Sequence, residues 1–114
     1  QTQFTDNYLS RSFQMAAYSI AAHESLGMKR QIFFIDYGGW DHHDEILNNQ
    51  SAMLYELDTA LGEFADAMAE LGLGKQVTTF SLSEFSRTLT SNGNGTDHAW
   101  GGNVIPLWKL AVAC

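Results

Sequence analysis

The chain has a single cysteine, Cys114, and it stands last. One thiol excludes an internal disulfide framework and a cysteine metal cage. Basic residues are scarce. Six Lys and Arg face 13 Asp and Glu, a formal net charge of -7. Phosphate neutralisation needs clustered Lys and Arg, so nucleic acid is excluded as a partner. An acidic chain with four His is better suited to cations than to polyanions. No apolar run is long enough to cross a bilayer. Residues 1–6 lack the charged-then-apolar pattern of a signal peptide. Repeats, low-complexity tracts and linkers are absent. What remains is ordinary globular material: 114 residues, 45% hydrophobic, with seven Phe, four Tyr and three Trp to fill a core. That excludes disorder and fits one small domain over residues 1–114.

Hydropathy patterning predicts the order helix, strand, helix, strand. Leu9, Phe13, Ala16, Ala17 and Ile20 recur at helical spacing within residues 7–28, and Gly27 suits the stop. Residues 31–35 form a short apolar run without alternation, the pattern of a strand covered on both faces. A long helix is expected over residues 45–71. Its stripe is Met53, Leu57, Ala60, Leu61, Phe64, Met68 and Leu71, with Gly72 and Gly74 as the stop. Residues 76–82 are rich in β-branched and aromatic side chains and read as the second strand. A polar loop, punctuated as irregular by Asn-Gly and Gly-Asn steps, runs over residues 83–103. The tail from 104 to 113 is apolar, and Pro106 argues against a central strand beginning much before it.

Two strands joined by such a helix should be parallel, with a right-handed crossover. The expected fold class is therefore α/β: a small parallel sheet with flanking helices, in the order αβαβ. A sheet of two or three strands leaves edges that need cover. That leads us to expect either a piece of a larger α/β domain or a homo-oligomer that completes its sheet by dimerising.

Sites in open parallel sheets form at the carboxyl ends of the strands. Both polar loops lie on that rim. The first carries Asp36, Asp41, His42, His43 and Asp44; the second carries Glu84, Arg87, Thr88, Asp97 and His98. Imidazole and carboxylate together suit Zn, Mn or Fe, and carboxylate alone suits Mg or Ca. Asp41 and His43, two apart, share a direction in extended chain, and Asp97 with His98 offers one or two further donors. Each residue also has a structural reading. Asp44 suits capping the long helix, His42 a solvated position, and Asp97 a turn with its neighbours. His23 belongs to a surface or half-buried helix position. Arg87 suits either a bidentate grip on phosphate or sulfate or a bridge to Glu84. Ser83, Ser86 and Thr88 act as nucleophiles only if activated. Residues 92–96 lack the Gly-Lys-Ser/Thr ending of a phosphate loop, although Asn94-Gly95-Thr96 matches a glycosylation acceptor pattern.

Several segments together resemble the bacterial family DUF1501. They are Lys29-Arg30-Gln31-Ile32-Phe33-Phe34 leading into Gly38-Gly39-Trp40-Asp41-His42-His43; Glu56-Leu57-Asp58; the run from Val77 to Thr88 with its Ser83-Glu84-Phe85-Ser86-Arg87-Thr88; and Gly95-Thr96-Asp97-His98-Ala99-Trp100-Gly101-Gly102. The resemblance extends to about Ile105. That family is grouped with the alkaline phosphatase and sulfatase superfamily, α/β enzymes with one or two metal ions. The resemblance therefore implies a fragment of an alkaline-phosphatase-like fold and hydrolysis of small phosphate or sulfate esters. It implies divalent metal (Zn, Mn, Mg or Ca) on Asp41, His43, Asp97 and His98. Arg87 and Glu84 become the candidate catalytic residues, with Glu84 where relatives place an acidic ligand. It also implies export to the periplasm or cell surface. His42, Ser86 and Ala99 depart from the family pattern, the superfamily nucleophile comes from an earlier part of that fold, and the tail from Pro106 onward does not resemble the family's continuation. A truncated member, inactive on its own, is one expectation. The alternative is a non-catalytic metal- or partner-binding domain of an exported protein.

Overall fold

The computed structural model describes residues 1–42, 45–83, 86–99 and 109–113; at residues 87 and 109–113 it describes the backbone path. Helix α1 spans Tyr8–Ala21 and helix α2 spans Ile46–Glu70. Strands β1 (Ile32–Asp36), β2 (Thr78–Leu82) and β5 (Lys109–Ala113) form one sheet. Strands β3 (Ser86–Arg87) and β4 (His98–Ala99) form a separate two-stranded ribbon. No described helix is long and apolar enough to cross a membrane.

Local chemistry sets the helix ends. The Asn7 side chain accepts the Ser10 N–H at 2.8 Å and so caps α1. The α1 helix is shorter than its periodicity predicts. The helical phase breaks after Ala21, and residues 23–26 make one more turn, closed at Gly27 by the Met28 N–H on the His23 carbonyl at 2.9 Å. The end of α2 has the same geometry. The Leu73 N–H bonds the Met68 carbonyl at 2.9 Å, and Gly72 takes the left-handed conformation (φ 71°) that this closure requires. At its other end α2 starts on Glu45, itself left-handed (φ 50°) and making no side-chain cap.

The core lies between the helices. Leu9, Phe13, Ala16, Ala17 and Ile20 on α1 meet Leu57, Ala60, Phe64, Ala67 and Met68 on α2. The Phe13 and Phe64 rings sit 5.1 Å apart and tilted, a favourable aromatic pairing. Of the expected α2 stripe, Met53 and Leu61 are half-buried, and Leu71 is 43% exposed because the helix has ended there. An extended arm at residues 1–6 lies along α2. The Glu70 carboxylate accepts the Thr2 N–H at 2.9 Å, and Glu63 accepts the Thr5 N–H at 3.0 Å.

The sheet departs from the expected parallel arrangement. Strands β1 and β2 run in the same direction, as a helical crossover demands, but they are not neighbours. Strand β5 lies between them, antiparallel to both, pairing Phe34 with Ala111 and Ala111 with Phe80. A crossover that skips one position leaves a slot, and the chain's own tail fills it three residues after Pro106. The expected two-sided cover of the first strand is not found either. Ile35 is buried and Phe33 packs against the core, whereas Ile32 and Phe34, on the opposite face, are 66% and 72% exposed. The helices cover one face only.

Candidate functional site

The rim is built from two loops held in different ways. The first leaves β1 at Asp36 and is pinned by aromatic rings. The Tyr37 hydroxyl donates to the Glu56 carboxylate on α2 at 2.9 Å. Burial first, and this bond second, raise the Tyr37 pKa well above the ordinary tyrosine value. The Trp40 ring is 1% exposed and meets Tyr37 edge-on at 5.7 Å. Between them Gly39 adopts φ 95°, and the Met53 methyl lies 3.5 Å from where a Cβ would stand. A side chain there is strained by the backbone alone. The His42 N–H bonds the Trp40 carbonyl at 2.9 Å, so Asp41 emerges on a tight bend directly above buried rings.

The second loop is a β-hairpin where the sequence predicts irregular chain. Strand β3 pairs with β4 in the register Ser86 with Ala99 and Arg87 with His98. Its tip is tied by its own polar groups. The Asn92 side-chain carbonyl accepts the N–H groups of Asn94 and Gly95, and the Asn92 N–H bonds the Gly95 carbonyl at 2.9 Å. The Asp97 N–H donates to the Thr88 hydroxyl at 3.1 Å, and Asp97 Oδ1 accepts from the Asn92 amide at 3.2 Å. The Asn94 carbonyl accepts the Ile46 N–H at 3.4 Å, which sets the hairpin against the start of α2. Asn-Gly steps are the turn signal of hairpins. Residues 92–95 carry that signal twice, at Asn92-Gly93 and Asn94-Gly95.

The two loops meet at Asp41 and His98. His98 Nε2 lies 2.6 Å from Asp41 Oδ1, across 57 residues of sequence, with the side chains 50% and 42% exposed. Of the candidate metal ligands, Asp41 and His98 are therefore brought together. Asp97 braces the hairpin through Asn92. His43 lies outside the described residues, as does the candidate catalytic Glu84. The Arg87 backbone stands opposite His98 in the ribbon. Among the described residues no group of three or more His, Cys, Asp and Glu side chains converges on one point. A carboxylate oxygen and an imidazole nitrogen in contact are chemically a fit for a borderline divalent ion. They can equally share a proton.

Sequence comparison finds one family. The model described as "Protein of unknown function (DUF1501)" matches residues 2–107. No curated protein and no solved structure matches the chain significantly.

Proposed function

The chain belongs to the DUF1501 family of proteins of unknown function, and from that premise we propose that the Asp41–His98 rim is the working site of a metal-dependent hydrolase. Its substrates would be small phosphate or sulfate esters, in the manner of the alkaline phosphatase and sulfatase superfamily, in an exported protein. The observation that carries the reading is the 2.6 Å contact between His98 and Asp41. Two donor-rich loops, far apart in sequence, converge through a carboxylate and an imidazole. Asp41 and His98 would hold the ion, and His43 and Asp97 would complete its ligands. A divalent ion there supplies a Lewis acid for the ester oxygen and lowers the pKa of bound water.

The chain's own groups have separate tasks. Buried Trp40 and the Tyr37–Glu56 bond fix Asp41 in place, so little reorganisation is needed when a ligand arrives. The hairpin does the same for His98. The start of α2 joins the rim through Ile46 and Asn94. The positive end of its dipole favours an anionic ester nearby. Arg87, paired in backbone register with His98, is assigned the anionic centre, and Glu84 the acidic role.

The test is elemental analysis of protein purified without chelator, beside a His98→Ala control, followed by turnover of p-nitrophenyl phosphate and p-nitrophenyl sulfate. Stoichiometric Zn, Mn or Fe, lost in the control together with hydrolysis, supports the reading. Metal retained without turnover favours the non-catalytic metal-binding domain. Protein that neither carries nor takes up metal overturns both.

A further inference from the structure

The end of the molecule opposite the rim holds a concavity unrelated to Asp41 and His98. Here α1 gives way to β1 and α2 gives way to β2. The two connections border an open cavity of about 630 Å³, within the range of small-molecule sites. Its floor is apolar: Ile20, 1% exposed, with half-buried Leu73 and Val77. Exposed Lys29 and Arg30 line the same cavity. Lys75 stands in the facing connection, so three of the six basic residues of a chain of charge -7 cluster at this end.

Among the described residues none of these three cations has an ion-pair partner. The ion pairs among the described residues join Gln1 to Glu70, Arg11 to Asp6, and His98 to Asp41. Glu24 also lines the cavity without pairing to Lys29 or Arg30. Unpaired cations beside an apolar floor complement a ligand with an anionic head and an apolar body. The walls are already fixed. The Gln31 amide donates to the Ser19 carbonyl at 3.3 Å and to Met28 Sδ at 3.2 Å. The His23 ring Nδ1 lies 2.7 Å from the Ile20 carbonyl, and the Gln76 N–H bonds the Leu73 carbonyl at 2.9 Å. Little ordering cost would remain for a ligand.

We propose that this cavity binds a single-chain amphipathic carboxylate. The acyl chain lies over Ile20, Leu73 and Val77, and the carboxylate is within reach of Lys29 and Arg30. One small head group, not a polyanion, matches two adjacent cations on an otherwise acidic molecule.

The experiment titrates the full chain with decanoate and, in parallel, with decylammonium and decanol, by calorimetry and by backbone amide NMR. Saturable decanoate binding is expected, with shifts centred on Gly27, Leu73 and Val77. Decylammonium should bind about tenfold more weakly or worse. The Lys29→Glu/Arg30→Glu double variant, or Lys29→Gln/Arg30→Gln if the first fails to fold, should lose about tenfold in decanoate affinity with unchanged far-UV circular dichroism. Absence of saturation, binding of decylammonium or decanol as tight as that of decanoate, or shifts centred on the exposed sheet face at Ile32 and Phe34 would overturn the proposal. Neither result depends on metal or turnover at the rim, so the two sites are tested separately.

Discussion

If Asp41 and His98 form one rim, their contributions to stability must be coupled, and a double-mutant cycle measures that coupling. The variants are Asp41→Asn, His98→Gln and the pair together. Fully exposed ion pairs contribute about 0.2–1 kcal/mol, and hydrogen bonds to charged groups about 1.5–3 kcal/mol. The contact is short, 2.6 Å, but its side chains are about half exposed. Solvent screening therefore holds the coupling to about 1 kcal/mol. With a urea m-value of about 1–3 kcal/mol/M, each single variant should move the unfolding midpoint down by about 0.3–1 M. The double variant should move it scarcely further than either single one. The assay is equilibrium urea unfolding of the four proteins at neutral pH and low salt, repeated at high salt, where the coupling should shrink. Strictly additive effects at both salt concentrations would mean that the two loops do not touch in solution, and the rim would cease to be one site.

Four further outcomes follow from the packing. Ser10 is fully buried in α1 and its hydroxyl finds no partner among the described residues, so Ser10→Ala should raise stability by about 1 kcal/mol through better helix propensity and relief of desolvation; a lower melting temperature would refute this. Phe13 is fully buried against Phe64, so Phe13→Ala should cost about 3–5 kcal/mol and leave the chain largely unfolded by far-UV circular dichroism at modest urea. Tyr37→Phe should cost about 1 kcal/mol by leaving Glu56 without its donor. Because the Tyr37 pKa is raised in the fold, wild-type stability should also fall as pH climbs above the ordinary tyrosine range, and the variant's alkaline unfolding profile should be flatter. The Glu70 carboxyl is lowered to about 2, first by the Thr2 N–H and then by the Gln1 ammonium. A lowered carboxyl stabilises the arm above its ordinary value of 4.5 and loses that effect as pH falls towards 2. Amide protection at residues 2–5, taken against the intrinsic exchange rate at each pH, should fall across that window, and Glu70→Gln should abolish the dependence.

Local pattern carried most of the secondary structure and little of its assembly. The strand read at 31–35 is Ile32–Asp36, and the helix read at 45–71 is Ile46–Glu70. Both elements are signalled by neighbours in sequence: apolar spacing, and for the helix a Gly at the stop. Sheet order rests on partners far away. Nothing in residues 31–35 or 76–82 announces that an antiparallel strand from 109–113 separates them, because backbone pairing is blind to sequence except through side-chain burial. The exposure of Ile32 and Phe34 shows the same limit. An apolar run reports what a strand would prefer to bury, not which elements the chain provides to bury it. Asp41 and His98 were legible as a rim because strand direction alone places both loops at one sheet edge. Their pairwise contact was not, since it depends on a hairpin whose register comes from Asn92 and Thr88.

The two halves of that rim owe their positions to different forces, which makes them separable. Asp41 is placed by the hydrophobic core: Trp40 is buried beneath it, Tyr37 is bonded to α2, and Gly39 bends the chain against Met53. His98 is placed by hydrogen bonds within a short polar hairpin, with one backbone bond to α2 at Ile46. Core packing is stiff and cooperative, whereas a two-stranded ribbon is marginal by itself. The pair is therefore a rigid carboxylate facing an imidazole on a softer arm. A ligand that takes both donors would gain most of its ordering from the hairpin, and protection of amides in residues 88–98 should rise on binding while those of residues 37–41 change little. If the first loop were the one to tighten, the rigid half of the rim would be the hairpin and the roles of the two loops would be reversed.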